Sequence, residues 1–262
     1  MTAKPALAGA VRRIAGATPG RLGCHICDAA GAVWASHRAD EQFPTASVIK
    51  VPILAALGAA VDAGDHRWTD VIALSPAETA AGSGVIQHLT RRAYTLRDLA
   101  TLMIIVSDNR ATNAIIDLLG ADRINAYCRA AGWPRTVLAR RMMDFAARAQ
   151  GRDNLSTPRE TADLFVRLLA GTLLAPATTA LVLDMLRAQQ LRHKLPAWLP
   201  AETPAAHKTG DMPGVSNDGG ILFLDSGPVI AAVYTDGLAA APPGWDAIRE
   251  IGRAIAASAN HL

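Results

Sequence analysis

The chain has 262 residues, 50% of them hydrophobic and 19% charged, with 21 Gly and 15 Pro spread along it. That is the profile of a globular protein able to bury a sizeable core, not of a disordered or fibrous chain. The net charge is only +3, with no Lys/Arg run and no basic stripe interleaved with aromatics, which argues against a nucleic-acid partner. No stretch of about 20 uninterrupted apolar residues exists to span a membrane.

The start, "MTAKPALAGAVRRIAG", is Ala-rich, but two arginines interrupt it before an apolar core long enough for an export signal forms. As written the chain is expected to be cytoplasmic, or periplasmic or secreted if the N-terminus was processed. A helix is predicted over 4–15, then two strands over 21–28 and 32–37 around a turn at 29–31. "CHIC" in the first strand invites a redox or metal reading. Period-2 alternation, however, puts Cys24 and Cys27 on opposite faces, and no second Cys/His pair completes a zinc site. With Cys128 the cysteine count is odd, against a disulfide framework. The histidines, His88 and His193 among them, show no metal spacing, so neither metal nor cofactor is expected.

A long helix follows over 47–64. From there to about residue 195 helical periodicity dominates: "TLRDLATLMIIVS", "NRATNAIIDLLG", "ADRINAYCRAAG", "TPRETADLFVRLLAG" and "TTALVLDMLRAQQ" all space their apolar residues three and four apart, with no convincing strand between them. Then come "PAAHKTGD", "SNDGGILFLD" and "PVIAAVYTDG", β-rich runs set off by turn residues, and a closing helix, "GWDAIREIGRAIAASA". The expected architecture is an α/β lobe from residues 1–40 and 196–262, with one antiparallel sheet covered by the first and last helices. An all-α lobe from residues 41–195 faces it across a cleft.

Three short motifs carry chemistry. "SVIK" sets Ser47 three residues before Lys50 at the start of an apolar helix. The helix dipole there favours developing negative charge, and Lys50 returns to the same face one turn later. The sequel "VPILAALGAAV" implies that Lys50 is partly desolvated, which lowers its pKa toward a value useful to a base. Alone, Ser-x-x-Lys is weak, since about one match is expected by chance in a chain this long. "SDN", Ser107 to Asn109, joins two helical runs and reads equally as an N-cap. "HKTG" ends a predicted strand; Lys208 is there either a site residue or edge protection, and His207, on the opposite face, is read as packing. Finding all three in this order by chance is on the order of 10⁻³ or rarer.

In that order the motifs resemble those of the β-lactamase and penicillin-binding protein superfamily, class A most closely. The resemblance covers nearly the whole chain, through "TPRETADLF" to "KTGDMPGVSNDGG" and the last helix. It implies a β-lactamase/transpeptidase-like fold and a serine hydrolase that works through an acyl-enzyme. By resemblance Ser47 is the nucleophile, Lys50 its proton acceptor or relay, and Ser107 the donor to the leaving nitrogen, aided by the field of Lys208. Asn109 would bond the lysine and the substrate's side-chain amide, while Lys208 and Thr209 would hold a substrate carboxylate. The backbone N–H groups of Ser47 and Asp211, beside Gly210, would form an oxyanion hole. "GSGVIQHL" is either a cleft rim or a surface turn.

One departure stands out. The family's efficient hydrolases carry a loop Glu, followed shortly by Leu-Asn, that activates the deacylating water. Here the matching region, "LARRMMDFAARAQGRDNLSTPRE", holds no Glu before Glu160. Asp144 is the nearest carboxylate and the candidate substitute, whereas Asp153 is expected to pair with Arg140 or Arg141. The expected function is hydrolysis of β-lactams or related amides and esters with weak or altered deacylation. The alternative is a penicillin-binding or sensor-type protein that keeps a long-lived acyl adduct. The expected partner is a small molecule with a carboxylate, taken by a monomer.

Overall fold

A computed structural model describes residues 4–75 and 80–259. Helix α1 (Pro5–Ala17) opens on a proline, whose missing N–H is harmless in a first turn, and leads into strands β1 (Arg21–Asp28) and β2 (Val33–His37). The Asp28 carboxylate accepts from the N–H groups of Ala30 and Ala32 and so closes the turn between the strands. After β3 (Phe43–Pro44) comes a 3₁₀ turn, Ala46–Ile49, which passes into α2 (Lys50–Asp62). Next are β4 (Val71–Ala73), β5 (Ala93–Thr95), α3 (Leu96–Ile105), α4 (Asn109–Leu119), α5 (Ala121–Ala130), α6 (Phe145–Ala149) and β6 (Leu155–Ser156). The chain ends with α7 (Pro158–Leu169), α8 (Pro176–Arg187), β7 (Ala205–Met212), β8 (Val215–Leu224), β9 (Gly227–Asp236) and α9 (Ala241–Ala259).

Strands from both ends of the chain form one antiparallel sheet, in the order β2-β1-β9-β8-β7. Both of its faces are covered, which explains why "PVIAAVY" is apolar without a break. On β9, Val229, Ala231 and Val233 point into a core under α1 and α9, while Ile230, Ala232 and Tyr234 point into a larger core shared with α2 to α5, α7 and α8. Cys24 lies in the first core and Cys27 in the second, so the two thiols of "CHIC" are on opposite faces. All three cysteines are free and buried. Among the described residues no cluster of three His, Cys, Asp or Glu side chains could hold a metal ion, and no helix is long and apolar enough to cross a membrane.

Helix α2 is buried nearly all round, from Lys50 through Ala60, so it is the centre of the helical packing and not a surface helix with one wet face. The single helix expected over 47–64 is a 3₁₀ turn followed by α-helix. The ladders β3–β6 and β4–β5 were not anticipated, because two- and three-residue strands are too short to show a period.

Helix α9 approaches the segment before β7 so closely that a Cβ at Gly252 would lie 2.1 Å from the Leu195 carbonyl oxygen, whereas one at Gly9 on α1 would meet nothing within 4 Å. Gly252→Ala is expected to cost about 2 kcal/mol by overpacking and to lower Tm by about 4–8 °C. Gly9→Ala should be neutral or stabilise by up to about 1 kcal/mol. Thermal unfolding of the two variants checks the pair.

Candidate active site

The 3₁₀ turn that carries Ser47 is pinned from three sides. The Asn217 side chain on β8 donates to the Pro44 carbonyl (2.8 Å), and Thr45 donates both its N–H and its hydroxyl to the Asn154 carbonyl (2.9 and 3.1 Å). On the third side the edge strand β7 comes so close that a Cβ at Gly210 would lie 2.8 Å from the Ser47 nitrogen and the Thr45 oxygen. The glycine of "KTG" is therefore a packing requirement. In a 3₁₀ turn residues i and i+3 eclipse, so Ser47 and Lys50 share one side.

Lys50 is fully buried, and its Nζ donates to the Ser107 carbonyl (2.7 Å), the Ser107 Oγ (3.0 Å) and the Asn109 Oδ1 (2.9 Å). Ser107 makes this possible by taking a left-handed backbone (φ 56°), and Ala46, just before Ser47, is held likewise (φ 45°). Non-glycine residues rarely hold that conformation, which costs on the order of 1–3 kcal/mol and clusters at functional sites. Asp108 is the scaffold of "SDN": it caps α4 through the Ala111 N–H (2.9 Å) and accepts from Val85 (2.6 Å) and Ile86 (2.9 Å). Asn109 also donates to the Ala81 carbonyl (2.9 Å). Burial, and next the charge of Lys208, push the Lys50 pKa well below its ordinary value, with Asp108 opposing.

Lys208 is also fully buried, and its Nζ donates to the Thr209 carbonyl (2.8 Å). Burial pulls its pKa down to about 7; Asp218 opposes that shift and Lys194 adds to it. Burial thus depresses the pKa of two lysines beside the one serine turn. His207, on the opposite face, bonds the buried Asp218 through Nδ1 (2.9 Å).

A cavity of about 210 Å³ opens over Ser47. Ser47, Asn109 and Asp211 line it, with Gly82 and Ser83 on one rim, so "GSG" reaches the cleft. Arg140, Met142, Met143, Phe145 and Met212 also line it, residues that no motif marked, with Met143 packed against Gly82. Asp153 pairs with Arg140 (2.8 Å) and also with Arg148 (3.0 Å). The Asn154 side chain accepts from the N–H groups of Ala139 and Arg140, which fixes the loop to the Ser47 turn. Met142 exchanges two backbone hydrogen bonds with the Asn113 side chain. Asp144 caps α6 through the Ala147 N–H (2.9 Å) and is not among the residues lining the cavity.

The two aspartate caps differ in burial, and so in weight. Asp108 is 1% exposed and meets three N–H groups, whereas Asp144 is exposed and meets one. Asp108→Ala is expected to cost roughly 3 kcal/mol, from a lost cap and two stranded donors, and Asp144→Ala about 1 kcal/mol. Denaturant unfolding of both variants measures the contrast.

The profile of the β-lactamase enzyme family matches residues 6–259. A β-lactamase of Rhodobacter capsulatus is 28% identical over 265 residues, covering 96% of this chain and 88% of the relative. A crystal structure of a β-lactamase from Sphaerobacter thermophilus superposes with a TM-score of 0.88 at 32% identity, over 98% of each chain. A substituted form of PBP-A, an acyl-enzyme complex with penicillin G, gives 0.89 at 30% identity, over 98% of this chain and 97% of that one. The chain thus belongs to the β-lactamase enzyme family and is a serine hydrolase related to class A.

Proposed function

We propose that the protein opens β-lactams, or related amides and esters, through an acyl-enzyme on Ser47 that is released slowly. The observation that carries this reading is the buried Lys50, held by Ser107 and Asn109 one 3₁₀ turn from Ser47. A neutral Lys50 amine has two N–H bonds and one lone pair, so it can accept a proton and pass it on. Ser47 Oγ attacks the carbonyl carbon as its proton moves to Lys50 Nζ. The Ser107 hydroxyl then delivers a proton to the leaving nitrogen as the C–N bond breaks, and Lys50 re-protonates Ser107. The N–H groups of Ser47 and Asp211 would face the tetrahedral oxygen. Charged Lys208 and the Thr209 hydroxyl would hold the substrate carboxylate, with Asn109 on its side-chain amide. The chain would act as a monomer, its cleft between a lobe of residues 1–40 and 196–262 and a lobe of residues 41–195.

Release needs a water that adds to the ester carbonyl after losing a proton to a base. The loop offers it Arg140, Met142, Met143 and Phe145, and among the described residues the one carboxylate lining the cavity, Asp211, already accepts from Lys194, Ser216 and Trp245. A loop without a carboxylate at the cavity supports slow deacylation, and at its limit the second reading, a penicillin-binding or sensor-type protein with a lasting adduct.

Intact mass after mixing with a penicillin should show an adduct in the wild type, none in Ser47→Ala, and acylation roughly 10²- to 10⁴-fold slower in Lys50→Met. Fast drug loss with no adduct would refute slow release. The same experiment reads the loop: Met142→Glu, a carboxylate on the cavity wall, should shorten adduct lifetime at least tenfold. Asp144→Asn should leave it within about twofold; a lengthened lifetime would instead assign Asp144 to water activation.

A further inference from the structure

Lys194 lies outside every motif, yet it is fully buried and its Nζ donates three hydrogen bonds, two to the site strand β7 and one to β8. The acceptors are the Gly210 carbonyl (3.0 Å), the Asn217 carbonyl (2.9 Å) and the Asp211 carboxylate (2.8 Å). It comes from the connector between α8 and β7, which is itself fixed. The Leu195 N–H donates to Asp218 (3.0 Å), Arg249 of α9 donates to the His193 carbonyl (2.8 Å), and Gly252 of α9 packs on the Leu195 carbonyl. Asp211, with its side chain 36% exposed at the cavity, is also held by Ser216 Oγ (3.0 Å) and Trp245 Nε1 (2.9 Å). The end of β7 that leans on the Ser47 turn is thus clamped by the connector, β8 and α9.

We propose that Lys194 is a positioning residue: it seats the Gly210–Asp211 edge against Ser47 and sets the charge of Lys208 two residues up the strand. The inference rests on the acyl-transfer reading of the cleft. A fixed ammonium behind the strand keeps the Asp211 N–H aimed at one point, and a displacement of about 1 Å there is worth up to ~10²-fold in rate. The charges around Lys208 are Lys50 from α2, Asp218 from β8, Lys194 from the connector and Asp211 on its own strand, with His207 on the opposite face, Arg249 of α9 behind Lys194 and Arg140 in the cavity lining that Asp211 shares. Lys194 discourages protonation of Lys208, and Asp211 favours it.

The sign follows. Lys208 must be protonated to hold a carboxylate, so acylation by an anionic β-lactam falls as pH rises through its pKa, about 7. Lys194→Met removes a like charge and should move that basic limb up by roughly one pH unit, with the optimum rate at least ~10-fold lower. Asp211→Asn removes an opposite charge, keeps the backbone N–H and should move the limb down. A second readout needs no turnover: the ¹³Cε signal of Lys208, assigned with Lys208→Arg, should titrate higher in Lys194→Met and lower in Asp211→Asn. If penicillin does not acylate the wild type but these titrations shift as stated, the hydrolase reading fails and Lys194's hold on Lys208 stands. If the Lys208 titration in a folded Lys194→Met variant stays at the wild-type value, the proposal is overturned; should Lys194→Met not fold, Lys194→Gln, which also removes the charge, takes its place.

Discussion

An ammonium group cut off from water must find acceptors or lose its proton, and Lys50 is placed where both answers lie close together. Its acceptors come from Ser107 and Asn109, residues 57 and 59 positions away. To supply the carbonyl, Ser107 holds a strained left-handed backbone, and the strain is affordable because Asp108 is locked on both sides, by the cap of α4 and by the Val85–Ile86 segment. Burial depth does the rest, since α2 carries Lys50 into the middle of the helical packing and leaves it no snorkelling route to solvent.

The sheet supplies the other half of the constraint. Covered on both faces, it cannot slip by one residue without turning apolar side chains onto the wrong core, so the edge strand β7 is fixed in register. A fixed edge brings Gly210 within contact of the Ser47 turn, and a second buried lysine, Lys208, near the first. Two buried amines, the charge of Lys208 lowering the pKa of Lys50, lie by the turn that carries Ser47, at a helix start where negative charge is tolerated. Acyl transfer asks for that combination, and membership of the β-lactamase enzyme family is consistent with it.

The loop from Ala139 to Phe145 shows how local anchoring sets what lines the cavity. Asn154, Asn113 and the Arg140–Asp153 pair hold the backbone from Ala139 to Met142, while the side chains this loop offers to the cavity are one guanidinium already paired with Asp153, two thioethers and a phenyl ring. Methionine adapts its shape and carries no acid or base, which is the ground for the slow release proposed above.

Elements with a long period or strong punctuation were legible from residue order alone: the helices α3 to α5, α7 and α8, the strand pair β1–β2, the three closing strands and the serine, lysine and Asp-Asn positions of the motifs. Period and capping act over a few residues, so local order encodes them. The two- and three-residue ladders, the short α6, the cavity wall of Met142, Met143 and Met212, and the three-way grip of Lys194 on β7 carry no local signature. They arise when segments far apart in the chain meet, and a methionine or a lysine looks the same in sequence whether it faces solvent, a core or a reactive serine. Composition and spacing determined which residues could do chemistry; burial and the close approach of strand β7 to a 3₁₀ turn decided which of them are brought to it, because desolvation and contact exist only once the chain has folded.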